Sequence, residues 1–156
     1  GSFTGIRIGI AIAKALVFKK DIKMTAMNTL DLLAYETAYK GKILSLIDAR
    51  KERAYYALYK NMEKISEYSD GELREFLEKY KEDEILFTGD ASYIYKEIIE
   101  EIMGSKAKFI NKARVFPRAG ILAERAVDLE EVNSVILEPY YHSKTQAERE
   151  KELKSK

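Results

Sequence analysis

Residues 43–47, Ile43-Leu44-Ser45-Leu46-Ile47, form a nearly unbroken apolar run. A strand with one wet face alternates apolar and polar side chains, whereas a run without alternation is covered on both faces. The run therefore reads as a central strand with material packed above and below it, which confines the chain to an α/β layer arrangement. A second run, 53–59, is rich in Tyr and Leu, and residues 48–52 connect the two as the turn of a hairpin.

The flanking segments alternate in period. Ser2 and Thr4 can each cap a helix that runs through Ile6, Ile10 and Val17 to about Lys20, where lysines complement the negative end of the helix dipole. Residues 22–27 are a short strand candidate, and Asn28 is placed to cap a helix over 29–40 that Gly41 stops. Further on, a short strand is expected near 65–67, followed by Asp70 as the cap of an amphipathic helix carrying Leu73, Phe76, Leu77 and Tyr80. Residues 85–87 read as a buried strand, 91–103 as a helix, 106–110 as a strand and 119–127 as a helix. The chain then closes with an extended stretch, 137–141, and a charged helical tail, 145–156.

Composition excludes several chemistries. The chain has no Cys, which removes disulfides, thiol catalysis and Cys-type zinc sites, and it has a single His, His142. With 27 basic and 26 acidic side chains the net charge is +1, so no long-range field draws the whole chain to nucleic acid. The apolar stretch 6–18 is interrupted by Arg7 and Lys14 and is too short to span a bilayer, so no membrane role is expected and the reading is of a cytoplasmic protein. Carboxylate pairs such as Asp83-Glu84 and Glu130-Glu131 read as solvated helix edges. Arg50, Lys51 and Arg53 beside Tyr55, Tyr56 and Tyr59 have two readings, a patch that stacks on RNA or plain packing of tyrosines on a half-buried strand.

The densest motif is Gly1-Ser2-Phe3-Thr4-Gly5-Ile6-Arg7-Ile8-Gly9. Glycines and hydroxyls at a helix start can offer backbone amides to an anion, and they can equally be simple caps. A Walker loop is ruled out, because Ile6 stands where its lysine belongs. The nonamer resembles the Gly-Pro-Gly-Ser-Phe-Thr-Gly-Leu-Arg-Ile-Gly signature of the TsaB (YeaZ) family, entered partway through, with Ile6 in place of Leu. Further matches follow in order: Thr29-Leu30, Leu46-Ile47-Asp48-Ala49-Arg50, Tyr55-Tyr56-Ala57 with Tyr59, Thr88-Gly89-Asp90, and Glu138-Pro139-Tyr140-Tyr141 with Gln146-Ala147-Glu148. Tyr141-His142-Ser143 departs from the family's Tyr-Leu-Arg ending.

The resemblance implies a two-lobed fold of the actin/hexokinase/Hsp70-like superfamily, each lobe built on a βββαβα sheet. The first lobe is then incomplete: residues 1–41 are its remainder, 42–144 the second lobe and 145–156 the tail, with further strands and a helix expected ahead of Gly1. It also implies a non-catalytic subunit in tRNA threonylcarbamoyladenosine formation, without cofactor or metal of its own. The expected partners are a TsaD-like catalytic subunit and a TsaE-like ATPase, which carry the metal and ATP, and tRNA is met only through them. Nucleotide-binding members of the superfamily hold phosphate between glycine-containing hairpins, and the 48–52 turn has no glycine.

The first helix carries the partner expectation. At 100° per residue Ile6, Ile10, Ala13 and Val17 form one apolar stripe, and Ile8, Ile12 and Ala15 form another, with Arg7 and Lys14 between them. One stripe suffices for a surface helix. The family binds TsaD through first-lobe helices, so the expected contact residues are Arg7, Ile8, Ala11, Ile12, Lys14, Ala15 and Phe18, with self-pairing through the same helix as the alternative. Small Ala11 and Ala15 permit close helix approach. A metal-dependent hydrolase or glycoprotease-like enzyme is the rival, and it would require a ligand cluster that the sequence does not display.

Overall fold

A computed structural model describes residues 3–141, with the side chain of Phe3 left out. Gly1, Ser2, His142 and the charged tail lie outside the described residues, as does any capping by Ser2. The helices are α1 (Phe3–Val17), α2 (Thr29–Tyr35), α3 (Leu73–Tyr80), α4 (Ala91–Ile94), α5 (Lys96–Met103) and α6 (Ala119–Arg125). The strands are β1 (Lys42–Asp48), β2 (Arg53–Lys60), β3 (Glu63–Lys64), β4 (Ser69–Glu72), β5 (Ile85–Thr88) and β6 (Ala107–Phe109).

They form one sheet in the order β3-β2-β1-β5-β6, with β4 also pairing to β2. The β1–β2 hairpin is antiparallel, and β5 and β6 join β1 in parallel. Strand order and connections follow the βββαβα pattern, the third strand being split into β3 and β4. β1 is central and its apolar run is buried, because helices cover both faces. Leu44 and Leu46 point into a core with Leu73, Phe76, Leu77, Tyr95 and Ile99 from α3, α5 and the residue joining α4 to α5. Ile43 points the other way, into a second core with Leu30 and Ala34 of α2 and with Ala57 and Tyr59 of β2. Burying such aliphatic side chains contributes roughly 1.5–3 kcal/mol each, which is what holds the layers together.

Several expectations change. Residues 22–27 make no strand: Thr25 forms a lone antiparallel bridge to Glu131, and a ladder needs a neighbour along its length. α2 is capped as expected, Asn28 Oδ1 accepting from Leu30 N at 2.9 Å, but it stops at Tyr35, five residues before the expected end at 40. Glu36, only 2% exposed, follows at its end. Its Oε1 lies 2.6 Å from Arg118 Nε and 3.6 Å from Arg114 Nε, while Arg114 Nη2 also donates to the Glu36 carbonyl oxygen. The carboxylate contacts are close but poorly aligned as hydrogen bonds, so the pairing is mainly coulombic. Beyond it Thr37 Oγ1 donates back to Ala34 O and Ala38 turns left-handed, which ends the helical hydrogen bonding.

The strand expected at 65–67 is displaced to β3 and β4, on either side of it. Asp70 is no helix cap. It sits in β4 and pairs with Arg53 Nη2 at 3.0 Å, and Glu72 occupies the capping position of α3 without a side-chain bond. The helix expected over 91–103 breaks at Tyr95 (φ −107°, ψ 23°), leaving Ile94 exposed instead of in the core. The helix expected over 119–127 ends as α6 at Arg125 and tightens into a 3₁₀ turn, and 137–141 pairs with no strand.

Candidate partner-binding surface

α1 is fifteen residues long and rich in branched apolar side chains, with no carboxylate in its first turn. Fifteen residues alone are marginal in water, so such a helix draws its stability from packing of an apolar face. Within this chain only one stripe is partly covered. Ile10, Ala13 and Val17 are half-buried, whereas on the opposite side Ile8 is 54%, Ile12 57% and Leu16 61% exposed. Ala11 and Ala15, beside that row, are exposed as well. Phe18, one residue past the helix, is 66% exposed with the Lys19 ammonium 5.5 Å from its ring centroid. Arg7 is exposed on the flank.

Lys14 behaves differently from a free charged rim. It is half-buried and its Nζ donates to Val135 O at 2.9 Å, tying α1 to a segment far along the chain. Leu16 belongs to the exposed row and is absent from the set expected from sequence. Its spacing of four from Ile12 was the available signal.

The hairpin turn is the other place where superfamily chemistry would sit. Arg50, Lys51 and Glu52 all have positive φ (65°, 54° and 57°), the conformation that glycine adopts without a Cβ penalty. The turn is held by its own groups: Ala49 N donates to Arg53 O, Arg53 N to Arg50 O, and Arg50 N to Asp48 Oδ1. The same Asp48 oxygen accepts at 2.6 Å from the hydroxyl of Tyr95, the residue at which the expected helix breaks. Asp90 Oδ1 accepts from Ala91 N at 2.8 Å and Asp48 N at 3.1 Å, so it caps α4 and braces β1. The carboxylates of Asp48 and Asp90 are engaged in holding the backbone of the turn, of β1 and of α4.

Three comparisons with known proteins bear on this geometry. The family model described as "TsaD: tRNA N6-adenosine threonylcarbamoyltransferase" matches residues 1–151. The tRNA threonylcarbamoyladenosine biosynthesis protein TsaB of Bacillus subtilis (strain 168) is 33% identical over 155 residues, covering 95% of this chain and 68% of that protein. The chain belongs to the TsaB (YeaZ) family. The TsaB of Escherichia coli (strain K12) is 39% identical over 66 residues, 40% of this chain and 29% of that protein. Among solved structures, YeaZ from Pseudomonas aeruginosa superposes with a TM-score of 0.66 at 19% identity, over 90% of this chain and 70% of that one. A second structure, a protein with similarity to peptidase YEAZ from the same organism, gives 0.68 at 20% identity, over 92% and 69%. These two solved structures share the fold of this chain.

Two of the tyrosines near the basic cluster, Tyr56 and Tyr59, are spent on packing. Tyr59 is buried and its hydroxyl donates to Asp31 Oδ1 at 2.7 Å, while Tyr56 packs on Phe76 at 5.1 Å between centroids. Arg53 is taken by Asp70. An RNA-stacking face at this strand therefore loses two of its three rings and one of its three cations. Among the described residues no three His, Asp or Glu side chains gather as metal ligands, and no helix is long and apolar enough to cross a membrane.

The buried phenols of Tyr59 and Tyr95 make a pH signature for this fold. Burial, reinforced by the hydrogen bond to Asp48, pushes Tyr95 up to about 12, and burial with the Asp31 bond raises Tyr59 in the same direction. An unfolded tyrosine loses its proton near pH ~10. Above that the unfolded chain sheds protons that the folded chain retains, so stability falls as pH rises from ~10 toward the folded value of about 12. Urea midpoints taken every half unit should show this decline, and Tyr95→Phe should make it shallower. An unchanged slope in that variant would count against the Tyr95–Asp48 bond.

Proposed function

We propose that this chain acts in tRNA threonylcarbamoyladenosine biosynthesis as a non-catalytic subunit that binds a TsaD-like catalytic subunit through the outer face of α1. The observation that carries the reading is the row Ile8, Ile12 and Leu16, exposed along a helix that also turns an apolar stripe inward. Covering such side chains is worth on the order of 1–2 kcal/mol each, the driving force of a helix-on-helix interface. Ala11 and Ala15 permit close approach beside the row, Phe18 extends it, and Arg7 supplies positive charge at the edge.

The names of the TsaB relatives support the pathway. The hairpin turn supports the non-catalytic part, since the amides of Ala49, Arg50 and Arg53 are already donated within it. On this reading residues 1–41 are the partner-binding unit, with α2 docking it onto the 42–144 lobe. A TsaE-like ATPase joins the complex, tRNA is reached through the catalytic subunit, and the assembly works in the cytoplasm.

Gel filtration with light scattering of the chain mixed with its TsaD-like subunit tests the proposal: a one-to-one complex is expected. Two separate peaks at micromolar concentrations would sink it, and a homodimer that excludes the TsaD-like subunit would favour self-association. The transferase description of the matching family model motivates an enzymatic alternative. Threonylcarbamoyl transfer to tRNA by the chain alone would establish that alternative.

A further inference from the structure

Beyond Val115 the chain stops building core. From Phe116 to Tyr141 no residue is fully buried, and neither α6 nor the 3₁₀ turn after it contributes one. The segment is nevertheless tied at intervals to the start of the chain. Arg114 and Arg118 reach Glu36, and the Arg125 guanidinium lies 4.6 Å from the Tyr35 ring centroid. Glu131 bridges Thr25 and meets Lys23 at 3.6 Å, Val132 N donates to Met24 O at 2.8 Å, and Val135 O accepts from Lys14 Nζ at 2.9 Å. As the chain advances from 114 to 135, its partners therefore retreat in order from 36 through 35, 25 and 24 to 14. The tie at Glu36 is the one most shielded from solvent, since that side chain is fully out of water while both arginines keep contact with it. A carboxylate so placed needs cations facing it, so it holds the beginning of the segment against the end of α2.

We infer that residues 114–135 form a strap that opens and closes as one unit over the α1–α2 segment, with Glu36 as its latch, and that the strap sets how firmly α1 is held on the lobe. A segment with no core of its own, kept in place by a few polar ties, opens at a cost well below that of unfolding the sheet. Releasing one tie returns conformational freedom that the remaining ties must then oppose, which links the two ends. Lys14 stands with the half-buried side of α1, so the strap grips the helix from its inner flank and leaves Ile8, Ile12 and Leu16 exposed. A charge pair at the end of α2 thereby governs the presentation of a helix that begins at the other end of this unit.

Hydrogen exchange of the full chain, read at single amides by NMR, tests the strap. Glu36→Gln keeps the shape and removes the charge, and Arg118→Met changes a side chain already half in water. Both should speed exchange of the Val132 amide, well beyond the latch, by about tenfold while leaving Leu46 of β1 unchanged; Arg118→Met carries the test if Gln at 36 does not fold. From the other end, Lys14→Met should speed Val132 and the Ala126 amide of α6 about threefold, and Lys14→Arg should restore both. Val132 at the parental rate in the latch variants reduces the strap to separate contacts and overturns the inference. Equal acceleration at Leu46 does so too, since Glu36 would then support the whole lobe. A Lys14→Met effect confined to Val135 and Leu137 detaches α1 from the strap. One further arm rests on the reading of α1 as the partner surface: the TsaD-like subunit should slow the Val132 amide, and by reciprocity Glu36→Gln should bind that subunit about tenfold more weakly. A subunit that binds without touching the Val132 rate overturns the coupling, whereas one that does not bind sinks the reading of α1 and leaves the strap standing on its exchange rates.

Discussion

Replacing Ile12 by Glu is expected to weaken association with the TsaD-like subunit by more than a hundredfold while leaving the chain folded. Ile12 sits at the middle of the exposed row, 57% exposed in the free chain, so a carboxylate there meets water and costs the monomer little. In a complex the same carboxylate would be taken out of water with no cation placed to receive it. An uncompensated buried charge costs about 3 kcal/mol or more, and about 1.4 kcal/mol is a factor of ten in affinity. Ala15→Glu should act similarly, through bulk as well as charge, because a small residue there lets a partner helix approach. Far-ultraviolet circular dichroism and the thermal midpoint serve as controls and should not move. Co-elution of Ile12→Glu at parental affinity would remove α1 from the interface.

The second large effect falls on stability. Gly89 ends β5 with φ +91°, and a Cβ there would stand 1.9 Å from Leu46 O and 2.9 Å from Leu46 C. Those atoms belong to β1, at the centre of the sheet, and cannot yield as a flexible side-chain tip would. Ala at this position must push β5 from β1 or carry its chain away from Asp90, whose carboxylate accepts from Asp48 N and Ala91 N. Gly89→Ala is therefore expected to cost about 4 kcal/mol or more and to leave the lobe largely unfolded. Gly120→Ala in α6 is the matched control, as its Cβ meets nothing within 4 Å and Ala favours a helix by about 1 kcal/mol. Urea denaturation measures both. A loss below about 1 kcal/mol at Gly89 would contradict the close approach of the two strands.

Much of the architecture was legible because it is written at short range. The unbroken run at 43–47, the strands that became β2, β5 and β6, the Asn28 cap and the two stripes of the first helix all follow from spacing within a few residues. The exposed apolar row of α1, which we propose as the partner surface, was legible to the same extent, since helical periodicity placed Ile8 and Ile12 together. It did not say which stripe the chain itself would cover, and it left out Leu16.

What the structure alone decided are matters of who meets whom across the chain. Asp70 carries the composition of a helix cap, yet Arg53 across the β2–β4 pairing takes it, at a separation no local window spans. Tyr95 reads as one more helical residue, yet the helix breaks at it and its hydroxyl is taken by Asp48 of β1. Glu36 sits in a helical pattern and is buried between Arg114 and Arg118, contributed from beyond the sheet. Lys14 looks like a solvated flank until Val135 arrives beside it. By itself the sequence determined the elements and their apolar faces, because propensity and periodicity act over a turn or a strand. The tertiary structure decided where those elements end and which polar groups are spent, because a desolvated charge or hydroxyl takes its partner from wherever the fold delivers one.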